Sequence, residues 1–326
     1  MPEYRFVDFT EVPNVMLQVA ELSNAAFAEY EGAPTIDAAF GEWYLRRPGS
    51  TPELCVGALD GKTLASMVLV ALQPMQLGGR VLSCGIIDSV ATRPEHRKQG
   101  LAHKLMDMAH QRMRQAGADA GVLYTNPEDH PYQFYGRLGY QTRAMCMLMR
   151  GSRPLERELP VREAEPAEHH GLASLIDGFY EAHEGYAPLN EQLWAWHKLH
   201  RPPGMEARVM VTEVDGVAAG TCTWSRIELL LGGETKPVAA MVDFACIGEV
   251  CPGPTALESL MASAPEEDIV VLVDTADPLA DLYGGAGFER VVGEVSMVLP
   301  FSDAAHAAMA SRSGPWYVMA ESVIGV

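Results

Sequence analysis

The chain has 326 residues, of which 48% are hydrophobic and 21% are charged, so it is globular in composition and long enough for two domains. Its formal net charge of −19 argues against a nucleic-acid-binding protein, because such a protein needs a positive face. No apolar run approaches the roughly 20 residues that span a bilayer, and the N-terminus lacks the basic start and apolar stretch of a signal peptide. We therefore expect a cytoplasmic protein that does not bind a membrane.

The negative charge is concentrated in the second half. Residues 1–150 hold 14 Lys and Arg against 16 Asp and Glu, a balance of −2, whereas residues 151–326 hold 10 against 27, a balance of −17. A surface this acidic favours solubility and is also compatible with a cationic, amine-bearing substrate. The cysteines have no metal-binding spacing and nothing completes a ligand set around the histidines, so we expect no bound metal and a reducing compartment.

The hydrophobic pattern predicts strands and helices in alternation. In the first half, strands are predicted at residues 4–9, 55–59, 64–72, 86–92, 121–125 and 144–149, and helices at 14–30, 36–46 and 101–115. Gly, Ser, Pro and charged residues then interrupt the pattern at residues 149–154, which indicates a boundary. In the second half, strands are predicted at 159–164, 209–214 and 217–231, helices at 167–184, 191–199 and 256–264, and a short helix at 302–311 before an apolar tail.

A strand, a tight turn and a helix meet at the start of the helix predicted at 101–115. The turn and helix start read Arg97, Lys98, Gln99, Gly100, Leu101 and Ala102. The first backbone N–H groups of a helix have no partner within it, and the helix dipole makes that end positive, so an anion can dock there. Gly100 allows close approach of the backbone, small Ala102 leaves room, and two basic side chains add charge. This stretch predicts a binding site for a diphosphate group.

The chain contains an internal repeat. An Asp-Gly turn between two strand-like runs recurs 155 positions later, and Asp88 matches Asp243 at the same offset of 155. Further on, Tyr135 in a Phe-Tyr-Gly sequence matches Tyr283 in a Leu-Tyr-Gly sequence at an offset of 148. The second copy is therefore shorter by 7 residues, all lost between its Asp and its Tyr, the interval that holds the diphosphate turn in the first copy.

The second copy lacks the diphosphate turn. The offset of 155 places Pro252, Pro254 and Thr255 where the first copy has its turn. Two prolines remove two N–H donors, the arginine is absent, and Thr255 replaces the glycine. We predict that this half binds no diphosphate and that it is retained for architecture or for shaping a substrate cleft; an atypical cofactor site is the alternative.

Four motifs occur in the order and at about the spacing typical of the GCN5-related N-acetyltransferase (GNAT) superfamily. They are the strand end Val90-Ala91-Thr92-Arg93-Pro94, the turn at residues 97–102, the strand at 121–125, and the sequence Gln133-Phe134-Tyr135-Gly136-Arg137-Leu138-Gly139-Tyr140. The chain therefore resembles that superfamily. The resemblance implies an α/β (α+β) fold of two tandem GNAT units, each a mixed, mostly antiparallel twisted sheet flanked by helices, with a splayed pair of parallel strands.

The resemblance also implies a division of the chain. Residues 1–150 are expected to form the catalytic domain that binds acetyl-CoA, residues 158–300 a degenerate copy, and residues 301–326 a C-terminal tail. The cofactor contacts that it carries over are Val90, Ala91, Thr92, Arg97, Lys98, Gln99, Gly100, Leu101, Ala102 and Asn126. Asn126 is carried over although the segment after it is somewhat longer than in the family.

The implied reaction is direct transfer of an acetyl group to a primary amine of a small molecule in a ternary complex. Tyr135 matches the family tyrosine that protonates the leaving thiolate, and a packing role is its alternative. Asp88 is the carboxylate on the strand before the turn and is the candidate general base. Because Asp243 occupies the equivalent place in the degenerate copy, a structural role for Asp88 stays open.

Two other groups of residues are candidates for lining the amine pocket. They are residues 128–130, which precede the tyrosine helix, and the loop at 29–32.

Strand alternation also predicts that Asp88 shares one face of its strand with Ile86, Val90 and Thr92.

A narrower resemblance is to acetyltransferases of the enhanced-intracellular-survival type, which also follow an active first domain with a degenerate second one. Their third domain, whose C-terminal carboxylate acts in catalysis, has no counterpart here, so no such role is carried over to Val326. The alternatives are a non-catalytic acyl-CoA-binding or partner-binding protein on the same scaffold, acetylation of a protein or peptide amine, and a tandem synthase that acetylates an amino-sugar thiol. We expect a monomer or a homodimer.

Overall fold

A computed structural model describes residues 3–28, 33, 35–311 and 314–319. Within these residues the strands form one mixed sheet. The strands are β1 (Tyr4–Asp8), β2 (Val56–Asp60), β3 (Thr63–Leu77), β4 (Arg80–Thr92), β5 (Ala120–Thr125), β6 (Gln141–Ser152), β7 (Val161–Glu163), β8 (Ala207–Val214), β9 (Val217–Leu231), β10 (Glu234–Cys246), β11 (Asp268–Asp274) and β12 (Glu289–Pro300).

The described helices lie on the two faces of this sheet. They are α1 (Val15–Phe27), α2 (Ala38–Leu45), α3 (Leu101–Gln115), α4 (His130–Arg137), α5 (His169–Tyr180), α6 (Glu191–Trp194), α7 (Gly253–Met261), α8 (Pro278–Gly285) and α9 (Asp303–Met309). The structure thus confirms the predicted fold class, a mixed and mostly antiparallel sheet flanked by helices. No helix among the described residues combines the length and apolar character needed to cross a bilayer.

The order of strands in the sheet is β1-β2-β3-β4-β5-β12-β6-β11-β10-β9-β8-β7. Strands from the first half of the chain occupy one side of the sheet and strands from the second half occupy the other, except at the centre. There β12 pairs with β5, with Val295 opposite Thr125, and β6 pairs with β11, with Leu148 opposite Leu272. The last strand of each half therefore extends the sheet of the other half.

Each side of the sheet contains one parallel pair of strands that separates along its length. The β4–β5 pairing runs from Cys84 opposite Ala120 to Ile86 opposite Val122, although β4 continues to Thr92. The β10–β11 pairing is shorter still, from Ala239 opposite Ile269 to Ala240 opposite Val270, and β10 continues beyond it to Cys246. Both sides of the sheet thus open into a V-shaped gap at the carboxyl ends of their parallel strands.

Two clusters of buried residues show which residues of β4 lie on each face of the sheet in the first half. Ile86 and Ala91 pack with α1 and α2, whereas Ile87 and Val90 pack with α3 on the opposite face. A β-bulge causes this change of alternation, because Ser89 has a φ of +45° and the β3–β4 register shifts beside it. The expectation that Asp88 shares a face with Val90 and Thr92 is therefore wrong.

Most predicted elements lie where the structure has them, and α3 has the predicted bounds. The predicted helix at 256–264 instead begins at Gly253, because proline is compatible with the first helical turn. The helix predicted at 191–199 has two parts in the structure. Its first part is α6, which ends at Trp194, and its second part is a π-helical turn, Ala195–Leu199.

Candidate active site

The predicted diphosphate turn is an exposed backbone concavity at the start of α3. Lys98 and Gly100 both have left-handed backbone conformations, with φ of +62° and +77°. The first intrahelical bond is donated by the Lys104 N–H to the Gly100 carbonyl, at 3.2 Å, so the helix N–H groups before it have no acceptor within the helix. Alternating right- and left-handed residues turn successive N–H groups toward one point, which is a typical anion site.

The basic side chains of this turn differ in what they contact. The Arg97 guanidinium donates to the Ala26 carbonyl at the end of α1, at 3.0 Å, and to the Thr92 carbonyl, at 3.4 Å. Lys98 and Gln99 are exposed, whereas Leu101 is buried in the sheet–helix core. Arg97 therefore ties the turn to α1 and to the end of β4 in addition to supplying charge.

The V-shaped gap between β4 and β5 begins directly beside this turn. The other edge of β4 is bonded to β3, with Met67 opposite Ala91, and the Thr92 hydroxyl lies 2.8 Å from the Ser66 hydroxyl. Asn126, at the end of β5, accepts a hydrogen bond from the Glu128 N–H at 2.9 Å. Its side-chain amide oxygen thus shapes the turn into α4.

Tyr135 lies on α4 and packs on the face of the sheet that α3 covers. It is 7% exposed and its ring lies 5.2 Å from Phe134 and 6.0 Å from Tyr140. The Tyr140 hydroxyl is 2.9 Å from Nε2 of His110, and burial lowers the pKa of His110 to about 4. Aromatic packing therefore holds the Tyr135 ring in place.

Asp88 lies on the opposite face, which α1 and α2 cover. Its carboxylate accepts a hydrogen bond from the Tyr44 hydroxyl and one from the Ser89 N–H at 3.1 Å. The buried Arg47 guanidinium lies 3.9 Å away. Asp88 is thus partly neutralised and fixed by α2, which suits a positioning role as well as a catalytic one.

Glu294 of β12 is a candidate that sequence reasoning missed. Its Oε2 atom is buried and has no hydrogen-bond partner among the described residues. Burial and, to a smaller extent, the Asp88 charge raise the pKa of Glu294 to about 8. No local pattern marks this residue. Its strand, β12, comes from the second half of the chain but pairs with β5 of the first half, and the sequence around Glu294 does not indicate this pairing.

The start of α7 is the second-half counterpart of the diphosphate turn, and it is a poor anion site. Pro252 caps the helix and Pro254 lies in its first turn, so two N–H donors are missing. The first helical bond runs from the Ala256 N–H to the Pro252 carbonyl, at 3.0 Å. No residue from 252 to 257 has a left-handed conformation, in contrast to the turn before α3.

The gap between β10 and β11 is occupied by the C-terminal segment, residues 314–319. The Trp316 N–H donates to Asp274 at 2.8 Å, and the Tyr317 hydroxyl donates to Asp243. The buried Glu184 exchanges backbone hydrogen bonds with this segment on its other side. A cavity of about 30 Å³ remains between Tyr283 and this segment, which is room for about one water molecule.

Asp243 is the centre of a buried polar cluster. It accepts a hydrogen bond from the Lys198 ammonium, which also donates to the Thr223 hydroxyl at 2.7 Å. Burial lowers the pKa of Lys198, and the Asp243 carboxylate opposes that shift. The Lys198 ammonium and the Tyr317 hydroxyl donate to different carboxylate oxygens of Asp243, so both oxygens are engaged within the second half.

Comparison with known proteins agrees with this architecture. Residues 13–143 match the family model of the acetyltransferase (GNAT) domain. The matched region includes the turn before α3, Asp88 and Tyr135. No curated protein is similar enough in sequence to give a match.

Solved structures resemble the chain over most of its length. N-myristoyltransferase from Saccharomyces cerevisiae with bound myristoyl-CoA is 10% identical with a TM-score of 0.73, covering 92% of this chain and 83% of that one. A GCN5-related N-acetyltransferase from Anabaena variabilis ATCC 29413 is 13% identical with a TM-score of 0.64, covering 91% of this chain and 72% of that one. The chain therefore has the fold of GNAT-type acyltransferases.

Proposed function

We propose that this protein is an N-acyltransferase that uses acetyl-CoA and carries its active site in the first half of the chain. The observation that carries this proposal is the exposed concavity of N–H groups at Lys98–Gly100, which lies directly beside the gap between β4 and β5. A diphosphate at the concavity and an extended arm along the gap are the two shapes that a coenzyme A molecule requires. The match to a GNAT domain over this region supports the same assignment.

In this proposal the main chain does most of the cofactor binding. The N–H groups of residues 98–102 hold the diphosphate, with Arg97 and Lys98 supplying charge. The free edge of β4 at Val90, Ala91 and Thr92 pairs with the amide groups of the arm. Acetyl-CoA would supply an activated thioester in the gap between β4 and β5, and Asn126 would border this gap at the end of β5.

The two proposed active-site side chains have different roles. Tyr135, held on the α3 face, donates its hydroxyl proton to the departing thiolate sulfur. Tyr44 holds Asp88 on the opposite face. There the Asp88 carboxylate positions the incoming amine. The acceptor is a primary amine of a small molecule, and the strong negative charge of the second half attracts such cations.

We further propose that the two halves are tandem copies, with residues 1–150 as the active domain, 158–300 as a degenerate copy and 301–326 as a tail. Asp88 and Asp243 each accept a hydrogen bond from the helical segment before them, through Tyr44 and Lys198 respectively. The proline-rich start of α7 and the C-terminal segment in the second gap both argue against acyl-CoA binding there. The second copy therefore has a structural role in this proposal. The proposed enzyme is cytoplasmic.

Calorimetric titration with CoA tests this proposal. Gly100→Glu places a carboxylate at the diphosphate site, and we expect it to abolish CoA binding. Gly216→Glu is the matched control, because Gly216 also has a positive φ, of +78°, and open space around it, but lies in the β8–β9 turn of the second half. Equal CoA affinity for both variants, or no CoA binding by the wild-type protein, would contradict the proposal.

A second measurement separates an enzyme from a binding protein on the same scaffold. Free thiol is followed after acetyl-CoA is mixed with a series of amines that includes polyamines, aminoglycosides and short peptides. We expect thiol release that depends on the amine. CoA binding without any amine-dependent release would favour a non-catalytic acyl-CoA-binding protein.

A further inference from the structure

Glu294 reaches the active-site gap of the first half from a strand of the second half. On β12, Val295 pairs with Thr125 and Ser296 pairs with Tyr124, the last two residues of β5. Glu294 is therefore adjacent to the carboxyl end of β5, where the gap between β4 and β5 is open. The strand exchange at the centre of the sheet is what brings it there.

The side chain of Glu294 lies on the face that α1 and α2 cover. Directly paired residues of neighbouring strands share a face, so Ser296 lies on the same face as Tyr124, and Glu294, two residues before Ser296, does too. Tyr124 belongs to the core cluster on this face, and its hydroxyl accepts a hydrogen bond from the Trp316 indole N–H at 2.8 Å. Burial raises the pKa of Tyr124, and the Glu294 charge adds a smaller contribution in the same direction. Asp88 lies on this face as well, so the two carboxyl groups border the same space.

Two polar atoms on this face of β12 are buried without a partner among the described residues. They are Oε2 of Glu294 and the hydroxyl of Ser296. Buried polar groups without partners are rare in folded proteins, because each costs about 1–3 kcal/mol unless a partner arrives. Glu294 as a whole residue keeps some exposure, so a ligand can reach it.

No cation forms an ion pair with Glu294 within the part of the chain that the structure describes. The ionisable groups that face it are Asp88 on β4, Tyr124 on β5 and Cys146, the residue opposite it on β6. Arg47, which follows α2, lies 3.9 Å from Asp88. Burial, and to a smaller extent the Asp88 charge, raises the pKa of Glu294 to about 8.

The second side of the sheet has no equivalent of this group. β6 and β12 match residue for residue at an offset of 148, because β6 is Gln141–Ser152 and β12 is Glu289–Pro300. The counterpart of Glu294 is Cys146 and that of Ser296 is Leu148, both of them apolar and buried. The unpartnered polar pair thus occurs in the strand that completes the proposed active half.

We propose that Glu294 binds the ammonium group of the acceptor and takes a proton from it. This inference rests on the function proposed above. The N–H bond of the ammonium breaks and its proton goes to Oε2 of Glu294. The freed electron pair forms the C–N bond with the acyl carbon, the electrons of the C–S bond leave with sulfur, and sulfur takes the Tyr135 proton. The new C–N nitrogen loses a second proton, which restores the Tyr135 hydroxyl and leaves a neutral amide. The ligand class is a cationic primary amine.

Steady-state kinetics of Glu294→Gln tests the inference, with Glu289→Gln as the matched control on the exposed end of the same strand. The probes are spermidine, kanamycin and the tripeptide Gly-Ala-Ala. For the probe that is acetylated fastest, we expect Glu294→Gln to lower kcat/KM about 100-fold, with unchanged CoA affinity by calorimetry. We also expect it to remove the limb of the pH profile near pH 8, whereas Glu289→Gln changes neither.

The possible failures are distinguishable. Wild-type kcat/KM and an unchanged pH profile in Glu294→Gln, with CoA still bound, would overturn the role of Glu294 and leave the proposed function intact. Absence of CoA binding, or no transfer to any probe, would overturn both. Carbon-13 NMR of the glutamate carboxyl groups gives a test without any variant kinetics: a Glu294 signal that titrates in the range of an exposed glutamate would also contradict the inference.

Discussion

Trp43 and Trp196 hold each other by reciprocal hydrogen bonds. The Trp43 indole N–H donates to the Trp196 carbonyl at 3.0 Å, and the Trp196 indole N–H donates to the Trp43 carbonyl at 2.9 Å. Their rings stack at 4.4 Å, and Arg47 and Arg201 each lie over the ring from the opposite half, at 5.5 and 5.2 Å. This pair fixes α2 and the residues that follow it against the second half, and this segment supplies the Tyr44 and Arg47 contacts of Asp88.

Trp43→Ala should destabilise the whole chain rather than one half. The change removes a buried ring, leaves a cavity and deprives the Trp196 carbonyl of its indole donor, so we expect a loss of about 3–5 kcal/mol in the free energy of unfolding. Because the exchanged strands β6 and β12 link both sides of the sheet, urea unfolding should remain a single transition. Leu17→Ala, on the exposed face of α1, is the control. Two separate transitions in the variant would contradict this account.

Lys198→Met should be strongly destabilising, because it leaves the buried Asp243 carboxylate without its cation. Breaking one partner of a buried ion pair costs about 3–5 kcal/mol. The double variant Lys198→Met/Asp243→Asn should recover part of the loss, since the remaining polar group carries no charge. The measurement is the urea midpoint of the three proteins. A single variant as stable as the wild type would show that the ion pair does not support the second half.

The stability of the protein should depend on pH through Glu294. Burial raises its folded-state pKa to about 8, above the value of about 4.3 for an exposed glutamate. Between these values the folded state holds a proton that the unfolded state releases. The free energy of unfolding should therefore fall as pH rises from about 5 to 8, by up to about 1.4 kcal/mol per pH unit. Glu294→Gln should flatten this part of the profile, and identical profiles for both proteins would contradict the burial of a protonated carboxyl group.

Tyr135→Phe should lower turnover about 100-fold without changing CoA affinity, because it removes the proposed proton donor and keeps the packed ring. Tyr283→Phe is the matched control, since Tyr283 occupies the equivalent helix of the second half and faces the gap that the C-terminal segment occupies. Thiol release measures turnover and calorimetry measures affinity. Equal turnover in the two variants would mean that another group protonates the thiolate.

Local chemistry made part of this structure predictable. The start of α3 follows from Gly100 and the residues around it, because helix starts and tight turns are specified by neighbouring residues. The weakness of the second turn follows in the same way from Pro252 and Pro254. The mixed sheet with splayed parallel pairs follows from the order of strand and helix patterns together with the family resemblance.

The parts that were not predictable depend on contacts between remote segments. The bulge at Ser89 moves the side chains that follow it to the opposite faces of the sheet. No residue pattern in β4 indicates this bulge. The exchange of β6 and β12 is set by the packing of the two halves, so the position of Glu294 beside β5 has no local signature. The candidate loop at 29–32 and Val326 lie outside the described residues.

A crystal structure with bound CoA tests the central claim most directly. The account predicts one CoA molecule per chain, with its diphosphate on the backbone N–H groups of residues 98–102 and its arm between β4 and β5. A molecule bound beside Pro252 in the second half, or a diphosphate bound elsewhere on the surface, would contradict it.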